Sequence, residues 1–400
     1  MSSSYVDATV NATAIAKLIP PCKVGINGFG RIGRSVLRAS LLRGDVLVNA
    51  INHTCESVDD VVHLINHDST HGPLQKLAAT ARVEALSGGD ISVNGRKIAL
   101  FTERNPDNIN WAAYGVEYVA ECTGKFKTVA QASKHVSSGK AKRVLISAPS
   151  ADASTFVYKV NTERYADIRE TETVFSCASC TTNCLGPVCK VIDDNFGIVH
   201  GFMTTVHAST QSQHVLDGYS RKDRRSGRSV IGNVIPTSTG ASKAVKVVLP
   251  SLAGKISGIS VRVPVANVSM LDLNVQTDHA TTLEAIIESF SRSAETTLSG
   301  VVTVENEELV SSDFLGNPYS AIVDAKASAQ LNPHFFKIIA WYDNEWSYSC
   351  RLLDVLVMMY QVDYVIERES YANSALNSVQ SSATANSPVL SVPHAPVAAQ

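Results

Sequence analysis

Cys22-Lys23-Val24-Gly25-Ile26-Asn27-Gly28-Phe29-Gly30-Arg31-Ile32-Gly33 decides the fold of the first half of this chain. Six residues alternate as a strand, and three glycines follow at once in the spacing GxGxxG. Arg34 to Leu42 then reads as a helix with Val36, Leu37 and Leu41 inward. Gly28 permits a tight turn, Gly30 lets a pyrophosphate approach the backbone, and Gly33 lets the helix pack on the strand. The glycines alone are weak. Strand, glycine loop and helix in this order predict a dinucleotide-binding unit.

Working outward, Val46-Leu47-Val48-Asn49-Ala50-Ile51 supplies the second strand of the βαβ unit. A unit that binds NAD carries Asp or Glu at the end of this strand, where it holds the ribose hydroxyls. Here the chain reads Asn52-His53-Thr54. Loss of the carboxylate removes both a ribose anchor and the repulsion that excludes a 2′-phosphate. A protonated His53 attracts that phosphate, whereas a neutral one merely weakens the hold on NAD. Further strands read at Tyr118–Cys122, leading into Thr123-Gly124, and at Arg143–Ser147, with a crossover helix from Val129 to Val136 between them. This alternation predicts a mostly parallel sheet with ligands at the strand ends, where Thr123, Gly124 and Ser147 lie.

The chain has 400 residues, enough for two or three domains with large cores. A net charge of −2 gives no electrostatic case for nucleic acid or an anionic membrane. No run approaches the roughly 18 apolar residues of a membrane helix. Residues 1–20 lack a basic start and a continuous apolar block, so they read as an extension rather than a signal peptide. Eight cysteines in a chain of this length do not make a disulfide scaffold, and no second CxxC or spaced His pair completes a metal site around Cys177 and Cys180. A reduced, cytoplasmic protein without a metal is expected. The segment from about Tyr371 to Gln400, rich in Ser, Ala, Asn and Pro, is expected to be disordered.

In the second half, Thr173-Val174-Phe175-Ser176 reads as a short strand, and Val188, Val191, Ile192 and Phe196 recur at helical spacing. Between them Ser179 is a good N-cap. Cys180 therefore sits at the positive end of a helix, where a thiolate is favoured over a thiol. A cysteine nucleophile needs a base, and Met203-Thr204-Thr205-Val206-His207 is a strand that ends in an imidazole. Pro236-Thr237-Ser238-Thr239-Gly240-Ala241 and Arg262-Val263-Pro264 add a turn rich in hydroxyl and N–H groups and an arginine in an apolar strand. Both suit phosphate oxygens.

The motifs NGFGRIGR (27–34), DSTHG (68–72), ISAPSADA (146–153), ASCTTNC (178–184), DNFGIV (194–199), MTTVHA (203–208), STGASKAV (238–245), RVP-x-ANVS (262–269), VSSDF (310–314) and WYDNEW (341–346) follow in order. On these the chain closely resembles the phosphorylating glyceraldehyde-3-phosphate dehydrogenase family, from about Lys23 to Arg368. The resemblance implies Cys180 as nucleophile and His207 as base, acting on glyceraldehyde 3-phosphate and inorganic phosphate through a thioester. It implies that Thr210 and Arg262 hold the substrate phosphoryl group, while Ser179, Thr181, Thr239 and Gly240 line the site of the attacking phosphate. For the cofactor it implies Asn27, Gly28, Phe29, Gly30, Arg31 and Ile32 of the glycine loop. It adds His53, Arg104, Thr123, Gly124 and Ser147, with Asn344 on the carboxamide and Tyr348 behind the ring. A homotetramer is also implied, with the loop from about Ser209 to Asn233 at an interface.

The expected architecture is α/β: a Rossmann-type dinucleotide-binding domain and an α+β catalytic domain with a largely antiparallel sheet. Expected boundaries are an extension at 1–21, a dinucleotide domain at 22–178 to which a helix at 347–368 returns, a catalytic domain at 179–346 and a disordered tail at 369–400. Departures from the family pattern fall at His53, Thr54 and Tyr219, all bordering the adenosine half of the cofactor site. They open NADP as an alternative to NAD. Cys177 replaces the usual asparagine, which raises altered redox sensitivity at Cys180. The competing readings are an enzyme for a related phosphosugar such as erythrose 4-phosphate, a non-catalytic binding role, and, from Cys177, His53 and the tail, a specialised, inhibitor-tolerant paralogue.

Overall fold

A computed structural model describes residues 19–221 and 223–385 of the protein. Most of the expected extension, and the end of the expected tail, lie outside the described residues. Residues 20–358 form one compact unit, with the helix from Met359 onward grouped apart from it.

The opening strand is β1 (Cys22–Asn27), the glycine loop follows, and α1 spans Arg31–Ser40. β1 pairs in parallel with β2 (Val46–Asn52) on one side and with Tyr118–Glu121 on the other. The full sheet has nine strands. From one edge it runs β3 (Val83–Ala85), β4 (Ile91–Val93), β5 (Arg96–Phe101), β2, β1, β6 (Tyr118–Glu121), β7 (Arg143–Ile146), β9 (Val174–Ser176) and β8 (Ser154–Thr155). All neighbours are parallel except the β3–β4–β5 meander at one edge. The central strands β6 and β7 are buried on both faces, which explains runs such as Val144-Leu145-Ile146 without polar alternation. The crossover between β6 and β7 is two short helices, Val129–Ala132 and Lys134–Ser137, rather than the continuous helix expected. α2 (Val58–Asn66) follows β2 with a capping box from Ser57 to Asp60.

The second sheet has seven strands in the order β11 (Ile235–Ser238), β12 (Ile256–Arg262), β10 (Ile198–His207), β13 (Ser269–Thr277), β16 (Phe335–Tyr342), β15 (Ala321–Asn332) and β14 (Val302–Glu305). Four of its six pairings are antiparallel, the exceptions being β10–β12 and β14–β15. Strict alternation in β13 buries Leu271, Leu273 and Val275 against α3 (Cys180–Phe196), α4 (Ala241–Val248) and α5 (Leu283–Glu295). The opposite face leaves Phe202 and Ile259 exposed.

The last helix, α6, runs Trp346–Ala385 rather than ending near Arg368 as expected. No glycine or proline occurs between Trp346 and Ser387, so nothing in the chain stops the helix where the composition turns polar. The part of the expected tail up to Ala385 is therefore helical. Within the main unit, Asp354 of α6 pairs with Arg43 just after α1 at 2.5 Å, and Arg351 donates to the Gly300 carbonyl at 2.6 Å.

Candidate active site

The turn from β9 into α3 is built around Ala178, which takes the left-handed conformation at φ 56° without being glycine. Its N–H donates to Ser176 Oγ and its carbonyl accepts from Tyr348 Oη at 3.0 Å, bonds that hold an otherwise disfavoured backbone. Asn183 Nδ2 donates back to the Cys177 and Ser179 carbonyls. Ser179 then caps the helix, its Oγ accepting from the Thr182 N–H at 3.1 Å. Cys180 becomes the first residue of α3, whose first turn holds no acidic side chain.

His207 closes β10, and Cys180 Sγ lies 3.4 Å from its Nε2. Parallel pairing with β12 sets Arg262 directly beside His207. Arg262 Nη1 lies 2.6 Å from His207 Nδ1 and 3.1 Å from the Ala208 carbonyl, which is itself 2.8 Å from Nδ1. Tyr342 Oη is 2.9 Å from Thr181 Oγ1 and 2.7 Å from Thr205 Oγ1, locking α3 to the sheet beneath the pair.

The charge state differs from the sequence expectation. Burial pushes the Cys180 thiol up, and the nearby Arg262 only partly offsets this. Burial also lowers His207 to about 4, with the Arg262 cation adding to the effect. Desolvation thus works against the helix terminus and favours the uncharged form of each partner. Cys177 faces away from such chemistry: it is fully buried and its thiol is pushed up to about 12. A buried, protonated sulfur is inert, so the expected effect of Cys177 on redox sensitivity has no geometric support.

The glycine loop fits a dinucleotide. Gly28 is at φ 94°, and a Cβ on Gly33 would fall 2.1 Å from the Gly28 carbonyl oxygen. A Cβ on Gly30 would meet nothing within 4 Å, which is the open approach a pyrophosphate needs. The first turn of α1 has no side-chain cap and no acidic residue, leaving its N–H groups for an anion. Arg34 Nε is buried without a hydrogen-bond partner, and Arg34 lines a cleft of about 410 Å³ with Gly30, Arg31, Ser209, Thr210 and Glu345. Sequence reasoning passed over Arg34. The cleft brings Thr210 to the cofactor loop.

Other expected cofactor residues divide. Phe29 is buried and Ile32 half-buried at the loop. Asn27 is engaged elsewhere: its Nδ2 donates to Glu121 Oε2 at 2.5 Å and its Oδ1 accepts from Asn52 at 2.7 Å. Its side chain braces the strand ends. Thr123 is held by Glu121 Oε1, Gly124 turns at φ 66°, and the Ser147 N–H donates to the Glu121 carbonyl at 2.9 Å. Arg104 is exposed on the loop after β5. Asn344 is buried with its Oδ1 accepting from Ser269 Oγ at 3.0 Å. Tyr348 is buried against the Ala178 turn. Thr239 and Gly240 form the turn into α4, where Thr239 Oγ1 accepts from the Ala241 N–H at 3.1 Å.

His53 lines a cavity of about 410 Å³ with Cys55, Glu56, Ser57 and Glu103 among others. It is buried, its Nδ1 accepts from the Cys55 N–H at 3.1 Å, and desolvation lowers its pKa. It is therefore neutral near pH 7, not a cation awaiting a phosphate. Thr54 is exposed, and Tyr219 is 85 % exposed.

One network had no assigned role in the sequence. Asp68 and Glu345 both pair with Arg31, while His71 Nε2 lies 2.8 Å from Asp343 Oδ2. Asn267 Nδ2 donates to Asp343 Oδ1 at 2.5 Å, and its Oδ1 accepts from the Asn344 N–H. DSTHG, RVP-x-ANVS and WYDNEW thus meet under the cofactor loop. Burial alone would push His71 down, but Asp343 and Asp68 raise it to about 9. A histidine raised from about 6.5 stabilises the fold fully below that value and progressively less as pH climbs through 9. Stability should fall by about 3 kcal/mol between pH 6.5 and 9.5 from this group. Denaturant melts at both pH values, with His71→Asn as the variant that loses this slope, check it.

With that geometry in place, comparison with known proteins is specific. The family described as glyceraldehyde 3-phosphate dehydrogenase, NAD binding domain, matches residues 22–129. The family described as glyceraldehyde 3-phosphate dehydrogenase, C-terminal domain, matches residues 179–344. A glyceraldehyde-3-phosphate dehydrogenase of Neurospora crassa is 47% identical over 341 residues, covering 85% of this chain and 98% of the relative. That of Glossina morsitans morsitans is 48% identical over 341 residues, covering 85% and 99%. A relative from Chlamydomonas reinhardtii, named as cytosolic, is 48% identical over 333 residues, covering 83% and 95%. The chain belongs to the glyceraldehyde-3-phosphate dehydrogenase family.

Proposed function

We propose that this protein is a phosphorylating glyceraldehyde-3-phosphate dehydrogenase of glycolysis that converts D-glyceraldehyde 3-phosphate, inorganic phosphate and NAD+ to 1,3-bisphosphoglycerate. The observation that carries the reading is Cys180 Sγ held 3.4 Å from His207 Nε2 at the start of α3. The thiol proton passes to Nε2 as sulfur adds to the aldehyde carbon, giving a hemithioacetal. The N–H groups at the start of α3 meet the negative charge on oxygen, and the new imidazolium returns its proton to that oxygen, becoming a neutral base again. Once bound, the nicotinamide supplies the acceptor for the hydride that leaves this carbon. Imidazole takes the hydroxyl proton, and a thioester on Cys180 remains. Phosphate oxygen then attacks that carbonyl, the C–S bond breaks, and the thiolate regains its proton from His207.

Thr210 and Arg262 are the proposed hold on the substrate phosphoryl group, and Ser179, Thr181, Thr239 and Gly240 the hold on the attacking phosphate. Gly28, Gly30, Arg34 and the first turn of α1 would hold the pyrophosphate, with Arg104, Thr123 and Ser147 further along the cofactor. Asn344 offers its Nδ2 to the carboxamide, since its Oδ1 is taken by Ser269. A homotetramer in the cytoplasm completes the reading. Val215 (62 % exposed), Leu216 (77 %) and Ile231 (64 %) on the 209–233 loop, with Phe202 (66 %) on the open sheet face, are apolar surface that a second copy would cover. The test is a steady-state assay in which glyceraldehyde 3-phosphate, erythrose 4-phosphate, NAD, NADP and phosphate are varied independently. Activity without phosphate, or preference for the longer aldehyde, would displace this reading.

NADP acceptance is the finer part of the proposal. The uncharged His53 leaves a 2′-phosphate unrepelled at that position, while Glu56 and Glu103 in the same cavity act against it. NAD is expected to be preferred, with weak discrimination. A His53→Asp variant should raise the ratio of kcat/KM for NAD over NADP by about tenfold or more, through a ribose bond gained and like charge opposed. An unchanged ratio would remove position 53 from cofactor choice.

A further inference from the structure

Glu121 ends β6 with only 1 % of its surface exposed, and it has no part in the proposed chemistry. Its two oxygens take four donors. Oε1 accepts the Thr123 N–H at 2.8 Å and the Thr123 hydroxyl. Oε2 accepts Asn27 Nδ2 at 2.5 Å and lies 3.0 Å from His135 Nε2. The tautomer of His135 follows from its other nitrogen. Trp111 Nε1–H, which can only donate, reaches Nδ1 at 3.0 Å, so Nδ1 offers a lone pair and the ring proton sits on Nε2. Asn27 Nδ2 and His135 Nε2, 3.3 Å apart, are thus two donors converging on one carboxylate oxygen. His135, on the short helix Lys134–Ser137, and Trp111, opening the turn Trp111–Tyr114, are both fully buried. The bonds continue the other way. Asn52 Nδ2 donates to Asn27 Oδ1, and Asn52 makes two more bonds of 2.8 Å with the Glu103 backbone.

We propose that Glu121 is a positioning residue for the dinucleotide, holding the glycine loop and the Thr123–Gly124 turn as one rigid wall of the cleft. The two segments are in close contact. A Cβ on Gly28 would fall 2.8 Å from Thr123 N and Cγ2, and one on Gly33 would fall 2.1 Å from the Gly28 carbonyl oxygen. The Cys122 N–H donates to the Asn27 carbonyl at 2.7 Å, and the Gly28 N–H to the Asn52 carbonyl at 2.9 Å. A shift of Thr123 is therefore passed to Gly28 and on to the first turn of α1, where the pyrophosphate would sit. Among side chains of this length, only a carboxylate offers two acceptor oxygens. An amide at 121 would turn an NH2 toward either Thr123 or the Asn27–His135 pair, leaving two donors facing a third. The same line of bonds crosses the cleft. Glu103 lines the cavity that contains His53, and Thr123 follows β6 on the far side of β1. Both halves of the cleft are thereby set on one frame.

The inference rests on the dinucleotide reading of this cleft, and its test measures binding directly, without turnover. NAD titrated calorimetrically into the full-length protein gives Kd for the parent, Glu121→Gln, His135→Gln and His135→Leu. Glu121→Gln should raise Kd about tenfold, with the loss carried in KM for NAD rather than in kcat. His135→Gln keeps an amide N–H where Nε2–H stood and should bind within about threefold of the parent. His135→Leu, which has no donor, should weaken binding as Glu121→Gln does. A purely packing role gives the reverse order, since leucine suits an apolar site better than glutamine. Hydrogen exchange read by mass spectrometry should be faster in the 27–34 and 121–126 peptides of Glu121→Gln, with the second sheet unchanged. An unchanged Kd in Glu121→Gln overturns the inference. So does tighter binding by His135→Leu than by His135→Gln, and this pair decides the matter if Glu121→Gln fails to fold. A parent that binds no NAD overturns the dinucleotide site itself, a result distinct from variants that bind as the parent does.

Discussion

Replacing Cys180 with serine is expected to lower kcat/KM for glyceraldehyde 3-phosphate by about ten-thousand-fold or more, with the fold unchanged. The loss follows from two features of the site. A hydroxyl is a far weaker nucleophile than a thiol that need only give its proton to an imidazole 3.4 Å away. An oxygen ester is also a poorer acyl donor to phosphate than a thioester, so both halves of the reaction suffer. Thermal unfolding of the variant should lie close to the parent's, since serine replaces the half-buried sulfur with little change in volume. Residual activity within a factor of about ten would remove Cys180 from the chemistry.

His207→Asn is the second large effect, an expected loss of about 10²- to 10⁴-fold in kcat/KM. The asparagine keeps a polar group beside the Ala208 carbonyl and Arg262 but provides no base. The resting thiol is already pushed up by burial, so without an imidazole its deprotonation moves to higher pH. The pH profile of Cys180 alkylation should therefore shift upward in the variant. Adding Cys180→Ser to His207→Asn should cost little beyond the serine change alone, because the two side chains act as a unit. Additive losses would mean that they act in separate steps.

The parts of the molecule legible in the sequence were those where backbone geometry dictates residue type. Gly28 and Gly33 are required by a positive φ and by a contact of 2.1 Å, and no other residue fits. The alternation in β13 marked its buried face for the same local reason. Cys180 was legible as a helix-terminal thiol, yet its protonation state was not. Burial pushes the thiol up against the pull of the helix terminus, and burial is a property of the packed chain. His53 illustrates the same limit: its neutrality comes from desolvation and the Cys55 N–H, neither visible in Asn52-His53-Thr54. The His71–Asp343 pair joins residues 272 positions apart, so only the folded protein brings its charges together. Asn27 looked like a cofactor contact by its place in the loop, but Glu121 and Asn52 claim its side chain from neighbouring strands.

The proposed chemistry turns on a covalent acyl intermediate on one sulfur. Incubating the protein with glyceraldehyde 3-phosphate and NAD in the absence of inorganic phosphate, then mapping peptides by mass spectrometry, tests it most directly. An acyl adduct is expected on the peptide that carries Cys180, discharged when phosphate is added. An adduct on any other residue, or sustained turnover with Cys180 unmodified, would contradict it.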